Sequence, residues 1–394
     1  MKILVLSFYY TPDLCAGSFR TAALVKSMLK IAPANVKIDV VTTMPNRYES
    51  FRQDALEDVS ENRLQVYRAK LPNHSSGVLD QTIAYFTYVR FVLKTVRDND
   101  YDLVYGTSSR LMTAVLSAFV ARKKKTPLYL DIRDIFVDTI GDVFPNRITF
   151  FVKPMFSLLE RWTIGRASCV NFVSEGFREY FEARYANLNM RFFTNGIDSD
   201  FMSLDAKTDG KNSKGQPLNV VYAGNIGEGQ GLHLIIPTLA KSLGEKVHFR
   251  IIGDGGRKQM LLEQLAAAHC ENVTLLPPMP RNELINEYMA ADILFLHLNN
   301  YDAFLKVLPS KVFECGATGK PIWAGVAGYA GQFITKELSN AVVFQPCDVD
   351  GAASAFHTLD LNCNERKEFV SKFSRESIMN QFAKDILGTL KVEI

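Results

Sequence analysis

Short apolar runs alternate with stretches of helical periodicity along almost the whole chain. In the first half, Lys2–Ser7, Lys37–Thr42, Leu64–Arg68, Leu103–Gly106, Leu128–Asp131, Ser168–Val173 and Met190–Thr194 predict strands. Between them, apolar positions recur at helical spacing over 17–29, 81–97, 110–122, 149–165 and 175–185. Strands that are apolar on both faces and separated by helices predict a parallel, doubly wound sheet, because the crossover helices cover both faces. The segment 205–216, DAKTDGKNSKGQ, has no apolar periodicity and reads as a linker or exposed loop. The alternation restarts at Leu218–Tyr222, with further strands expected at Val247–Ile252, Val273–Leu276, Ile293–Leu296, Pro321–Ala324 and Ala341–Phe344. A last helical pattern, Arg366–Leu390, places Phe369, Phe373, Phe382 and Ile386 on its apolar side.

The fold class expected is therefore α/β, with two Rossmann-like domains. The expected division is 1–200, a linker at 201–216, a second domain at 217–370 and a closing segment at 371–394. A length of 394 residues suits two domains of ordinary size. Net charge is only +3, which gives no strong pull toward nucleic acid. The six cysteines are scattered and form no Cys-x-x-Cys pair, so neither a disulfide framework nor a zinc site is expected. The opening apolar run Ile3–Leu6 is too short for the core of a secretion signal and reads as a buried strand. No stretch reaches about 18 uninterrupted apolar residues, the length a membrane-spanning helix needs.

The candidate chemistry sits in loops that follow strands. Val307–Ile322, VLPSKVFECGATGKPI, turns at Leu308-Pro309-Ser310-Lys311 and enters a short helix carrying Glu314. A helix start offers unpaired backbone N–H groups to an anion, and Lys311 adds a full charge there. Glu314 lies four residues after Ser310, on the same side of the helix. A nucleotide needs this combination, with the N–H groups for its diphosphate and the carboxylate for its ribose hydroxyls. A surface helix with a capping serine and a solvated glutamate is the alternative reading.

Pro-Ser-Lys-x-x-Glu followed by Gly-Lys-Pro-Ile resembles the donor-binding segment of family-4 glycosyltransferases of GT-B fold. The likeness is to the subgroup that builds bacterial surface polysaccharides, which includes N-acetyl-L-fucosamine transferase-like enzymes. It implies two facing domains, with the C-terminal helix crossing back to the first and the donor held by the second. The matching loops occur in order along the chain. Tyr9–Arg20 places Gly17 and Ser18 at a helix start and Arg20 one turn in, where the family holds donor phosphates or the acceptor. Asp131–Asp134 follows a strand, and the resemblance makes Arg133 and Asp134 catalytic or acceptor-facing; an ion-paired strand end is the alternative. Asn195-Gly196-Ile197-Asp198 matches the family's turn beside the donor.

In the second half, Gly224-Asn225-Ile226-Gly227 and Gly253-Asp254-Gly255-Gly256 are glycine turns that the resemblance assigns to the donor. Met279 and Pro280, in a proline-rich loop, are assigned to the base. Many family members carry Arg and Lys at the positions of Asn225 and Gln230, where both grip the diphosphate. Here both are neutral, so Lys311 and then Lys306 are expected to supply the charge. Lys306 also stands where many members have a first sugar-contacting glutamate, so the sugar does not carry over from them.

The resemblance implies retaining transfer from a UDP-linked sugar to a lipid-linked or growing saccharide. No cofactor and no metal are expected, because transfer of this kind needs no Asp-x-Asp metal site. The expected location is the cytoplasm, at the inner face of the membrane. Aromatic residues over Ile83–Leu93 and Phe150–Trp162, with the basic run Arg122–Lys125, suit a peripheral membrane contact or simple core packing. A nucleotide-sugar epimerase of the same fold and a non-catalytic binding module are the alternatives. An epimerase would isomerise UDP-sugar without an acceptor.

Overall fold

The structure, a computed structural model, describes residues 1–13, 15–45, 55–72, 78–108, 111–135, 137, 146–202, 204 and 216–390. The expected linker thus lies almost wholly outside the described residues. The chain divides into two compact units, Met1–Asn195 with Arg375–Ile394, and Gly196–Ser374.

The first unit holds β1 (Lys2–Leu6), β2 (Lys37–Thr43), β3 (Asp58–Glu61), β4 (Leu64–Ala69), β5 (Leu103–Thr107), β6 (Leu128–Ile132), β7 (Cys169–Phe172) and β8 (Met190–Arg191). Their order in the sheet is β3-β4-β2-β1-β5-β6-β7-β8. Every pairing is parallel except β3 with β4. The central strands β5 and β6 are buried at every position, which is why their sequences are apolar apart from Thr107 and the ion-paired Asp131. Helices α1 (Ala16–Ile31), α2 (Val78–Thr95), α3 (Leu111–Lys124) and α4 (Asn146–Ile164) follow β1, β4, β5 and β6.

The final helical pattern is not one helix. It is Lys367–Lys372 and Arg375–Thr389, interrupted at Phe373 and Ser374. The Phe373 carbonyl accepts from the Ile197 N–H at 2.7 Å, and Ile197 bridges Ser374. An unbroken helix would have given that carbonyl to an amide four residues on. The break therefore separates the two units, and the division falls at 195/196 and 374/375 rather than at the expected 200 and 370. Arg375–Thr389 belongs to the first unit and buries Met379, Phe382, Ala383 and Ile386 against Leu24, Val25 and Met28 of α1. Fully buried side chains such as Phe382 and Ile386 contribute about 1.5–3 kcal/mol each, enough to anchor this helix firmly.

The second unit holds β9 (Leu218–Ala223), β10 (Val247–Ile252), β11 (Val273–Leu276), β12 (Ile293–His297), β13 (Ile322–Gly325) and β14 (Ala341–Phe344). Their order is β11-β10-β9-β12-β13-β14, all parallel. Helices α5 (Leu232–Leu243), α6 (Lys258–Ala267), α7 (Arg281–Ala290) and α8 (Lys311–Ala317) follow β9, β10, β11 and β12. In both sheets the candidate loops leave the carboxyl ends of the strands, where doubly wound sheets bind ligands.

Candidate functional site

In the second unit, the two glycine turns interlock. Gly224 N–H donates to Ile252 O at 2.9 Å, Ile226 N–H to Asp254 O at 2.8 Å and Arg257 N–H to Ile226 O at 2.9 Å. Gly253 has φ +153°, and a Cβ there would lie 1.8 Å from the Gly224 carbonyl oxygen. Only glycine permits that approach. Asp254 accepts from the Gly255 N–H at 2.9 Å, closing its own turn.

The neutral pair that replaces Arg and Lys is self-satisfied, since Asn225 Nδ2 donates to Gln230 Oε1 at 2.8 Å. Charge reaches this loop from elsewhere. Arg257, at the start of α6, donates to Glu228, which also accepts from Tyr301 Oη at 2.7 Å. Sequence reasoning missed all three residues. His297 fixes the same loop from beneath. Its Nε2 accepts from the Cys347 N–H at 3.0 Å, so Nδ1 is the nitrogen that donates to Gln230 O at 2.6 Å. Burial pushes its pKa down to about 4, so the ring stays neutral at physiological pH.

The Pro-Ser-Lys turn follows β12 and enters α8. Ser310 sits at the cap position with helical angles and makes no capping bond. The amides of Val312 and Phe313 are already bonded to the carbonyls of Pro309 and Ser310, at 3.1 and 3.2 Å. Because the turn tightens, the helix start is less open to an anion than expected. Leu308 is a core side chain, leaving only its backbone for a ligand. Pro309 and Ser310 are half-buried beside it.

Glu314 is the centre of this region. Its carboxylate is only 7% exposed, yet two cations reach it. Lys311 Nζ lies 2.8 Å from Oε2, and Arg281 Nη1 lies 3.5 Å from Oε1. Lys311 is thus a partner of Glu314 and not the solitary diphosphate cation expected. Burial works against its charge, but Glu314 outweighs that and holds its pKa above the ordinary lysine value. Arg281 opens α7 immediately after Met279 and Pro280, which puts the expected base-binding loop next to Glu314's second cation. The same guanidinium donates to Asp198 and, at 3.1 Å, to Asp200, and lies 4.9 Å above the Phe201 ring. Arg281 therefore ties the Asn-Gly-x-Asp turn to Glu314. No motif flagged it; an arginine directly after a proline-rich loop was the only signal.

In the first unit, Arg20 is completely buried and held by four hydrogen bonds. It pairs with Asp131 through Nε at 2.8 Å and Nη2 at 3.0 Å, and donates to the carbonyls of Phe193 and Thr194 at 2.7 Å each. Tyr105 Oη and Asn171 Nδ2 complete the Asp131 carboxylate at 2.9 and 2.7 Å. The expectation that Arg20 meets a phosphate is corrected, because the side chain is wholly buried and four of its five N–H donors are taken inside the unit. The ion-paired reading of the strand end holds for Asp131. Gly17 and Ser18 are buried in the first turn of α1. Two residues on, Arg133 is half-buried and anchored by its own N–H on Ser108 Oγ at 2.9 Å, while Asp134 is exposed. Arg133 Nε is buried without a hydrogen-bond partner among the described residues, so this side chain retains unspent donor capacity.

The family described as "Glycosyl transferase 4-like domain" matches residues 28–196, and "Glycosyl transferases group 1" matches 205–375. Across 98% of its length the chain is 24% identical to the putative colanic acid biosynthesis glycosyl transferase WcaI of Escherichia coli K12, covering all of it. It is 23% identical to the 2-deoxystreptamine N-acetyl-D-glucosaminyltransferase of Niallia circulans, over 87% of this chain and 90% of that one. Among solved structures it is similar to HepE of Anabaena in complex with UDP, with a TM-score of 0.66 at 16% identity over 99% of this chain and all of that one. The two sheets and their helices are those of the GT-B fold. The chain belongs to the family-4 glycosyltransferases.

Proposed function

We propose that the protein is a retaining glycosyltransferase that moves a sugar from a UDP-linked donor to a lipid-linked or growing saccharide of a cell-surface polysaccharide. Its place would be the inner face of the cytoplasmic membrane. The observation that carries this reading is Glu314, buried between Lys311 and Arg281 on the helix that follows the Pro-Ser-Lys turn. A carboxylate paired with two cations retains lone pairs that can accept from the two ribose hydroxyls of a nucleotide. HepE, which shares the fold, was solved with UDP and with UDP-glucose, and WcaI carries the surface-polysaccharide name. The bond broken is that between the sugar's anomeric carbon and the UDP oxygen, and the bond formed joins that carbon to an acceptor oxygen. The acceptor's hydroxyl proton passes to the departing diphosphate oxygen or to water, and negative charge gathers on UDP. Positioning and charge stabilisation supply the catalysis, with Arg133 and Asp134 on the acceptor side.

The test is transfer from labelled UDP-sugars to a lipid extract containing lipid-linked saccharides, run with and without EDTA. Acceptor-dependent incorporation that survives EDTA is the expected result, since no group of three His, Cys, Asp or Glu residues among the described residues is placed to hold a metal. Loss with EDTA that magnesium or manganese restores would overturn the metal-free part. Isomerised UDP-sugar in the absence of acceptor would replace transfer by epimerisation.

The Lys311 ion pair makes a second expectation specific. Lys311→Ala removes the closer of the two cations at Glu314. We expect UDP and uridine affinity to fall together, on the order of tenfold, because the ribose end is disturbed. A loss confined to UDP in calorimetric titration would return Lys311 to the diphosphate.

A further inference from the structure

The outer face of α2, α3 and α4 in the first unit carries two adjoining bands. One is apolar. Val89 and Leu93 of α2, Phe119 of α3, and Leu158 and Trp162 of α4 line an open groove of about 630 Å³. On and around it Ile83, Phe86, Phe119, Met155 and Leu158 are each 46–71% exposed, five large apolar side chains on three neighbouring helices. Scattered single apolar residues are normal on a surface, but a contiguous patch of this kind marks a contact.

The other band is cationic, and helical spacing places it beside the first. Arg90 follows Phe86 by four residues, and Lys94 follows Arg90 by four. Arg122 and Lys123 follow Phe119 by three and four, and Arg161 follows Leu158 by three. All five cations are exposed. Because each of these helices leads from one parallel strand to the next, the three run in the same direction, and their cationic ends gather together. Lys124 Nζ donates to the Arg97 carbonyl at 2.9 Å, which fixes the ends of α2 and α3 side by side. The acids at that end, Asp98 and Asp100, lie 3.5 Å from Arg97 and 4.0 Å from Lys124, and among the described residues neither is ion-paired with the five exposed cations.

We infer that this face docks on an anionic lipid bilayer, with Phe86, Phe119 and Leu158 entering the headgroup–hydrocarbon boundary and Arg90, Lys94, Arg122, Lys123 and Arg161 against lipid phosphates. The charge pattern selects the occupant. An anionic bilayer offers hydrocarbon next to a layer of negative charge, in the same order as the two bands. The proposal deepens the lipid-linked acceptor reading and rests on it for its cellular meaning. The test contains neither donor nor acceptor, so failure here leaves transfer standing, and failure of transfer leaves the docking face standing.

Full-length protein is floated with vesicles of phosphatidylcholine, with and without phosphatidylglycerol. Wild type binds the mixed vesicles, binds them less at high salt and binds phosphatidylcholine weakly. Arg122→Gln/Lys123→Gln weakens binding roughly 25-fold at low salt, at about fivefold per lost charge. Phe86→Glu/Leu158→Glu lowers binding by more than about tenfold at either salt, since burying a carboxylate among lipid tails opposes insertion. Both residues are largely exposed, so unchanged melting temperatures confirm that the variants fold. Wild type that ignores the mixed vesicles, or either variant binding like wild type, overturns the inference. So does a concentration-dependent dimer that Phe86→Glu/Leu158→Glu abolishes, which would give the groove to a second copy of this chain.

Discussion

Glu314→Gln is expected to weaken UDP binding roughly 10- to 150-fold while the protein still folds, the range set by about 1.5–3 kcal/mol for a hydrogen bond to a charged group. Glutamine keeps the volume and one acceptor oxygen but replaces the other by a donor. A ribose with two hydroxyls to give would then meet one acceptor and one clashing N–H. The substitution also removes the anion that Lys311 and Arg281 share. Arg281 keeps Asp198 and Asp200, so its side chain stays in place. Lys311 is about one-third exposed and can turn toward water. The loss of binding should therefore appear for uridine as well as UDP, with a small change in melting temperature. Calorimetric titration of both ligands reads this directly, and an unchanged UDP affinity in a folded variant would remove Glu314 from the nucleotide site.

The parallel strands were legible because burial on both faces forces continuous apolar runs. Ile3–Leu6 and Ile293–Leu296 could be little else. β3 was not, since Asp58–Glu61 is a polar, largely exposed edge strand with nothing in its composition to mark it. The break at Phe373 was hidden for a different reason. Helical periodicity continues across it, and only the pairing with Ile197, 176 positions earlier in the chain, ends the first helix. The same limit applies to the site. Motif spacing singled out Glu314, Lys311 and the glycine turns as candidates, each within one local segment. It did not reveal that Lys311 and Arg281 converge on Glu314, that Asn225 and Gln230 satisfy each other, or that Arg20 reaches Asp131 across 111 positions. Charged residues at loop starts look alike in sequence whether they face a ligand or a buried partner.

Arg20→Met should destabilise the first unit by about 3–5 kcal/mol, the cost of leaving one member of a buried ion pair without its partner. Both side chains are at most 1% exposed, so no water can replace the guanidinium. Asp131 would keep its bonds from Tyr105 and Asn171 but lose its compensating charge, and the Phe193 and Thr194 carbonyls would lose their donors. The pH dependence separates this cause from a simple packing defect. In the native protein burial raises the Asp131 pKa, but Arg20 outweighs it and holds the carboxyl below its ordinary value. A depressed carboxyl contributes stability above its unfolded pKa of about 3.9 and loses it as pH falls through the lower folded value. In the variant, burial without the cation raises the folded pKa above the unfolded one. The penalty is then present at neutral pH and disappears as pH falls below about 4, where Asp131 takes a proton. Urea unfolding of wild type and variant should accordingly show a gap that is widest near neutrality and narrows toward pH 4. Arg20→Met/Asp131→Asn, which removes the unpaired charge, should recover part of the loss at neutral pH. A gap that is independent of pH and unchanged in the double variant would mean that Arg20 acts through packing against Phe382 and its carbonyl bonds, and that the ion pair itself contributes little.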